Sequence, residues 1–348
     1  MSELRHDPLS RRWVIIAEER ANRPMDFEMV VYPPKLEGPC PFCAGSESLT
    51  PPEITALRED GSARDGPGWS ARVVPNRYPA LAIEGTPDRR GVGVYDRMHG
   101  IGAHEVLIDS PHHDRELADQ PLEHVVKLLG VWRERLLDLQ RDSSFKYVLL
   151  FKNKGAAAGA SLEHPHAQIV ATPVTPRAVA VELDACRSHH ELKERCLLCD
   201  MVAQELEDGR RIVSLDEQFV AWAPYASRFP FELLIAPRRH AHDFGLLPDD
   251  LLMPLARILS DVLGRLKAFL RDVPYNLVLH SAPNTHVQPR RAHYFTSLEH
   301  DWHWHLEVLP RITRVAGFEW GTDFHINPTP PEEAARLLRE AAIGEGEP

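Results

Sequence analysis

The sequence predicts an α+β fold made of a duplicated module, each copy an antiparallel sheet with one main helix. Three observations predict it. Two Cys-x-x-Cys pairs, Cys40/Cys43 and Cys196/Cys199, each stand well upstream of a His-x-His, His164/His166 and His303/His305. Between them, in the same order in both halves, come short β-branched runs and one long stretch with apolar residues at helical spacing. Finally, Glu105-Val106-Leu107-Ile108 through His113 matches Glu232-Leu233-Leu234-Ile235 through His240 without a gap, Glu and closing His eight positions apart in both.

Composition narrows the class. With 348 residues, 43% hydrophobic and 26% charged, the chain has room for two domains and a full core. A formal net charge of -11 excludes the broad basic surface of a nucleic-acid binder, so a phosphate-bearing substrate must be met by local basic residues and backbone amides. The N-terminus lacks an apolar signal region and no apolar run reaches membrane-spanning length, which predicts a cytoplasmic protein. In that compartment the five cysteines suit metal ligation better than a disulfide framework; Cys186 is left unpaired.

Taken in order, Arg11–Ala17 reads as a strand, rich in β-branched and aromatic residues. A charged loop with Arg20 and Arg23 follows, then the knuckle Pro39-Cys40-Pro41-Phe42-Cys43. Arg72–Pro79 is a short strand running into a turn, and Glu105–His113 a strand ending in histidines. Leu122 to Gln140 is helical, and Tyr147–Phe151 leads into the Gly-rich run Asn153–Ser161 and the strand that starts at His164. The second half repeats the order through Phe219–Pro224, Glu232–His240, a helix from Leu251 to Leu270, Tyr275–His280 and His303–Pro310, with a polar insert from Asn284 to His300. Pro173, Pro176 and a charged helix separate the copies, giving an N-terminal domain over 1–180 and a C-terminal, degenerate repeat over 190–348.

Each copy supplies two thiolates, a histidine after its inner strand and the first histidine of His-x-His. Cys40, Cys43, His113 and His164 make one Cys₂His₂ set, and Cys196, Cys199, His240 and His303 the other. Closed four-ligand sites of this kind are structural zinc sites. The repeat selects His113 over its neighbour His112, and a redox Cys-x-x-Cys would explain neither the histidines nor the duplication. Ligation of His164 would pin the strand that presents His166, and a neutral imidazole is a competent nucleophile toward phosphorus. In an extended segment His164, His166 and Gln168 share one face, and Gln168 can donate to a phosphate oxygen. Amides around Gly159 to Ser161 can form an anion nest.

Asn153-Lys154-Gly155-x₃-Gly159-x-Ser161 followed by His164-Pro165-His166-x-Gln168 resembles galactose-1-phosphate uridylyltransferase, a histidine-triad family, over nearly the whole chain. The resemblance implies two fused histidine-triad-like domains in a homodimer with sites near the subunit interface. It implies ping-pong double displacement through a uridylyl-histidine at His166, from UDP-glucose to galactose 1-phosphate. It also places Arg20 and Arg23 in the phosphate region, and Asn76, Asn153, Gly159 and Ser161 on the nucleotide. Gln168 falls on the phosphate-binding glutamine, and Phe318 and Glu319 on the sugar-contacting segment. The second Cys-x-x-Cys set and the Gly317–Gly321 segment resemble instead the two-zinc ADP-glucose phosphorylases, which move an adenylyl group to inorganic phosphate. Some members bind a further metal, and Glu182, His280 and His305 occupy three of its four positions, with Glu307 at the fourth.

Overall fold

The structure, a computed structural model, describes residues 2–22, 38–58, 61–286 and 295–341. In the N-terminal half its elements are β1 (Glu3–His6), β2 (Trp13–Ile16), β3 (Thr55–Arg58), β4 (Trp69–Pro75), β5 (Arg90–Val92), β6 (Tyr95–Arg97), β7 (Ala103–Ile108), α1 (Leu122–Gln140), β8 (Tyr147–Lys154) and β9 (His166–Thr172). Then come α2 (Arg177–Lys193), α3 (Leu197–Asp208), β10 (Ile212–Leu215), β11 (Phe219–Trp222), β12 (Leu233–Pro237), α4 (Leu252–Leu270) and β13 (Tyr275–His280). The chain closes with α5 (Leu298–Asp301), β14 (His305–Pro310), α6 (Gly317–Thr322), β15 (His325–Asn327) and α7 (Pro331–Glu340).

The strands of both halves join into one antiparallel sheet of ten, in the order β10-β11-β12-β14-β13-β8-β9-β7-β4-β3. The halves meet at its centre, where β8 pairs with β13 and Phe151 faces Val278. Each of these strands would otherwise leave a row of backbone donors and acceptors open, and each satisfies the other. The two sheets of the repeat are therefore continuous.

Alternation along the strands makes two unlike faces. Leu107, Leu150, Ala167, Leu279, Leu306 and Ile235 belong to one core with the buried sides of α1 and α4. Helix α4 forms because Leu255, Ile258, Val262 and Leu266 recur on one helical face, all of them buried. Burial of each contributes roughly 1.5–3 kcal/mol. Helices α1 and α2 begin directly after Pro121 and Pro176, and α3 ends at Gly209, whose φ of 70° places it in the left-handed region that favours glycine. On the other face of the sheet, Val106 and Ile108 pack with Phe42 of the first knuckle, and Leu234 and Ala236 pack with Trp302.

Two expectations from the sequence are corrected by the register. Leu107 pairs with Ala167, whereas Ile235 pairs with Leu306, although Ala167 and Leu306 hold the same place after their His-x-His. The copies of this strand are thus offset by one residue from the gapless match. Glu105 points to the helix face, where Arg135 of α1 meets it at 2.7 Å, while Glu232 points to the opposite face. The loop from strand to histidine is one residue shorter in the second copy, which restores His240 to its place. Strand β9 also begins at His166, so His164 lies in the turn before the strand rather than on it; His303 stands likewise before β14.

A small sheet, β1-β2-β15, flanks the second half and is tied to it by Asn327 Nδ2 donating to the carbonyl of Ser227 at 2.9 Å. The expected strand over Arg11–Ala17 is realised as β2. Of the polar insert, Asn284 donates to the carbonyl of Phe145 at 2.8 Å, while residues 287–294 lie outside the described residues. Among the described residues no helix is long and apolar enough to cross a membrane.

Candidate active site and metal centres

The Cys40-to-Cys43 turn brings both thiols beside His113 and His164, with all four ligand atoms within 4.8 Å of one another. Cys43 Sγ lies 3.4 Å from His113 Nδ1 and 3.6 Å from His164 Nδ1, and Cys40 Sγ 3.8 Å from His164 Nδ1. A tetrahedral zinc bonded to sulfur at about 2.3 Å and nitrogen at about 2.0–2.1 Å holds those atoms roughly 3.6 Å apart, so the set fits the ion. Second contacts orient the ring: His164 Nε2–H donates to the carbonyl of Ser110 at 2.8 Å, which leaves its Nδ1 lone pair toward the sulfurs. Burial lowers the pKa of His164 to about 4, which keeps that lone pair available.

The second set converges in the same way, again within 4.8 Å. Cys199 Sγ lies 3.4 Å from both His240 Nδ1 and His303 Nδ1, and Cys196 Sγ 4.0 Å from His303 Nδ1. His240 Nε2–H donates to the carbonyl of Glu299 at 2.9 Å. Cys186, in contrast, is a buried thiol packed in the neighbouring apolar cluster.

His166 opens strand β9 with its ring almost wholly buried, packed against the knuckle residue Phe42 at 5.2 Å between centroids. Its Nδ1–H donates to the carbonyl of His164 at 2.8 Å, so the lone pair resides on Nε2. Burial lowers its pKa as well, which holds the ring neutral. The Gly-rich loop beside it depends on Gly155 and Gly159, with φ of 79° and 88°. A Cβ at Gly155 would meet Pro274 at 3.0 Å. The second half shapes this loop, since Asn276 Nδ2 donates both to Asn153 Oδ1 at 2.8 Å and to the carbonyl of Ala158 at 2.7 Å. Asn276 was not singled out in the sequence; its significance comes from standing opposite Asn153 across the central strand pair.

In the second half the equivalent positions are closed. His305 donates from Nδ1 to the carbonyl of His303 at 3.1 Å, as His166 does to His164, but its Nε2 is enclosed without a partner. Its ring stacks on His280 at 4.6 Å. His280 lies with Nδ1 3.0 Å from Glu182 and Nε2 3.4 Å from Glu307. Burial would lower its pKa, but the two carboxylates outweigh burial and push it up to about 10, so an imidazolium sits between them. Glu182, His280 and His305 lie close enough to hold a metal, yet both His280 nitrogens already face carboxylates. Where a phosphate would meet Gln168 in the first half, the second has Glu307, and Arg228 bridges it at 2.8 Å to Glu232, also at 2.8 Å. Arg228→Met would leave Glu232 enclosed without its cation and Glu307 with only His280. We expect a loss of about 3–5 kcal/mol in stability, read as a lower denaturation midpoint; an unchanged midpoint would show the triad to be energetically idle.

Of the remaining residues singled out in the sequence, Asn76 joins the surroundings of Gln168, its Nδ2 3.1 Å from His104 Nε2, and the others are dispersed. Arg20 is exposed in the short 3₁₀ turn Glu18–Asn22, and Arg23 lies outside the described residues. Asn76 Oδ1 accepts from the Tyr78 N–H at 2.9 Å, and Ser161 is exposed beside the Gly-rich loop. Phe318 and Glu319 lie on α6 next to β15, and among the described residues no hydrogen bond joins α6 to the His166 strand. His104, absent from the sequence reading, contacts Gln168 directly at 2.8 Å. Strand alternation, which puts His104 on the face opposite Glu105, was the signal that could have found it.

The profile of the galactose-1-phosphate uridyl transferase N-terminal domain matches residues 1–176, and that of its C-terminal domain residues 182–339. An ADP-glucose phosphorylase of Arabidopsis thaliana is 33% identical over 98% of this chain and 93% of its own. A galactose-1-phosphate uridylyltransferase of Thermotoga maritima is 32% identical over 99% of each. Among solved structures, an ADP-glucose phosphorylase from Arabidopsis thaliana with bound ADP-glucose superposes with a TM-score of 0.82, at 32% identity and 99% coverage of both chains. A uridylyltransferase superposes at 0.74, with 29% identity and 98% coverage of both.

Proposed function

The chain belongs to the galactose-1-phosphate uridyl transferase family, a family of nucleotidyltransferases, and on that premise we propose that it moves a nucleotidyl group through His166. The observation that carries the proposal is the presentation of His166: neutral and tied at Nδ1, so that its lone pair is on Nε2, at the start of the strand that follows the Gly-rich loop and carries Gln168. In the first step Nε2 forms a bond to the α-phosphorus of UDP-glucose. The bond from that phosphorus to the bridging oxygen breaks, and glucose 1-phosphate leaves with the electron pair. The ring becomes cationic, and the His164 carbonyl that accepts Nδ1–H stabilises it. In the second step a phosphate oxygen of galactose 1-phosphate attacks phosphorus and the P–N bond breaks, returning His166. Gln168 donates its amide to a non-bridging oxygen in both steps. The two Cys₂His₂ sets are structural zinc sites, two ions per chain, which hold the turns that present His164 and His303. The protein acts as a homodimer with its sites near the subunit interface, and the α6 segment with Phe318 and Glu319 contacts the sugar end of the substrate. The two halves of the chain act as fused domains, 1–180 and 190–348, of which only the first is reactive.

A second reading is favoured by one observation, the close superposition on a structure with bound ADP-glucose. In it an adenylyl group passes from ADP-glucose to inorganic phosphate by the same first step. Loading with radiolabelled UDP-glucose or ADP-glucose, followed by a chase with galactose 1-phosphate or phosphate, separates the two. We expect UDP-glucose to load the protein and galactose 1-phosphate to discharge it to UDP-galactose. Loading by ADP-glucose with discharge to ADP by phosphate would establish the phosphorylase instead.

A further inference from the structure

We propose that His104 is a positioning residue for this reaction, fixing through Gln168 which end of the amide faces the phosphate. The proposal rests on the nucleotidyl-transfer reading. A backbone N–H can only donate, and the N–H of Ala80 lies 3.2 Å from His104 Nδ1, so Nδ1 carries the lone pair. The ring proton of the neutral imidazole therefore sits on Nε2. Two groups approach that nitrogen, Gln168 Oε1 at 2.8 Å and Asn76 Nδ2 at 3.1 Å, and only the first can accept. Asn76 has its own orientation set, since its Oδ1 takes the Tyr78 N–H. The chain Ala80 N–H, His104, Gln168 thus has a single direction, and it turns the NH₂ of Gln168 away from His104. An amide left free to flip would offer its carbonyl oxygen to a phosphate oxygen half the time, acceptor against acceptor.

The second half supplies an internal contrast. By sheet register, the counterparts of His104 and Gln168 are Glu232 and Glu307. Both donors have become acceptors, and the space between them is taken by Arg228. Where the pair is not needed to meet a phosphate, both members have changed together.

Two near-isosteric variants separate positioning from packing. His104→Gln keeps a donor at similar reach, while His104→Glu offers only acceptors and invites the Gln168 amide to reverse. In single-turnover adduct formation with saturating nucleotide sugar, we expect His104→Gln to remain within about tenfold of the parent. His104→Glu should fall by about 10²–10³-fold, the scale of losing one donor to a transition-state oxygen. A long-range ¹H–¹⁵N spectrum of the histidine-labelled parent protein reads the ring proton independently of any reaction, and should find it on Nε2. Equal losses in both variants, or a proton on Nδ1, would overturn the role of His104 while leaving the transfer reading intact. Absence of an adduct in the parent with both UDP-glucose and ADP-glucose would overturn the transfer reading, and the ring spectrum would still decide the hydrogen-bond direction.

Discussion

His166→Asn removes covalent nucleotidyl transfer, with turnover falling on the order of 10⁴-fold or more, the scale at which loss of a nucleophile is felt. The paired variant His305→Asn retains the adduct at a rate within a few-fold of the parent. The two histidines begin equivalent strands and both donate Nδ1–H to the carbonyl two residues back. Their surroundings differ. The first follows a Gly-rich loop and shares its strand with the Gln168 amide, whereas the second is stacked on His280 with its Nε2 enclosed, and Arg228, Glu232 and Glu307 form a buried cluster in the same half. A phosphate entering there would have to part Glu307 from Arg228 and His280 in a partly dry site, at a cost of several kcal/mol. Single-turnover assays on both variants measure the difference. An adduct that persists in His166→Asn and is lost in His305→Asn would assign the chemistry to the other half.

The second large effect concerns the first metal set. Cys43→Ser should remove one zinc per chain and lower the melting temperature by roughly 5 °C or more, since a structural zinc contributes to folding outright. It should also slow adduct formation by about 100-fold, because misplacing a reacting group by about 1 Å costs that much. The route is short: Cys43 meets His164 Nδ1, and the carbonyl of His164 holds His166 Nδ1. Phe42, between the two cysteines, also packs on the His166 ring. Cys196→Ser makes the contrast, since its cluster lies behind His305. It should lose the other zinc and some thermal stability while adduct formation stays within about tenfold of the parent. Elemental analysis, melting curves and single-turnover rates test both variants. One zinc in the purified parent, unchanged by Cys196→Ser, would remove the second set from the account.

The groups that could be read from sequence are those whose chemistry is local or repeated. Cys-x-x-Cys and His-x-His are short motifs, and their recurrence in one order was enough to bring His113 and His240 into sets that the structure assembles within 4.8 Å. What escaped depends on neighbours across the sheet. The one-residue offset between Glu105 and Glu232 is hidden by a loop that differs by one residue in length, so the sequence match holds while the faces invert. His104 and Asn276 are ordinary polar residues of strands until the pairings bring them to Gln168 and Asn153. Arg228 precedes β12 in a turn, and only folding places it between Glu232, just before β12, and Glu307 of β14. The continuity of the sheet was also out of reach, because nothing in the pattern of β8 or β13 says which edge will pair with which.

The most direct measurement is the mass of the protein after incubation with a nucleotide sugar alone, followed by peptide mapping. One acid-labile nucleotidyl group per site is expected, carried by the peptide that contains His166, with one equivalent of hexose 1-phosphate released. A uridylyl adduct from UDP-glucose supports the first reading and an adenylyl adduct from ADP-glucose the second, both through the same nitrogen. No adduct with either, together with product formed only when donor and acceptor are present at once, would contradict transfer through His166.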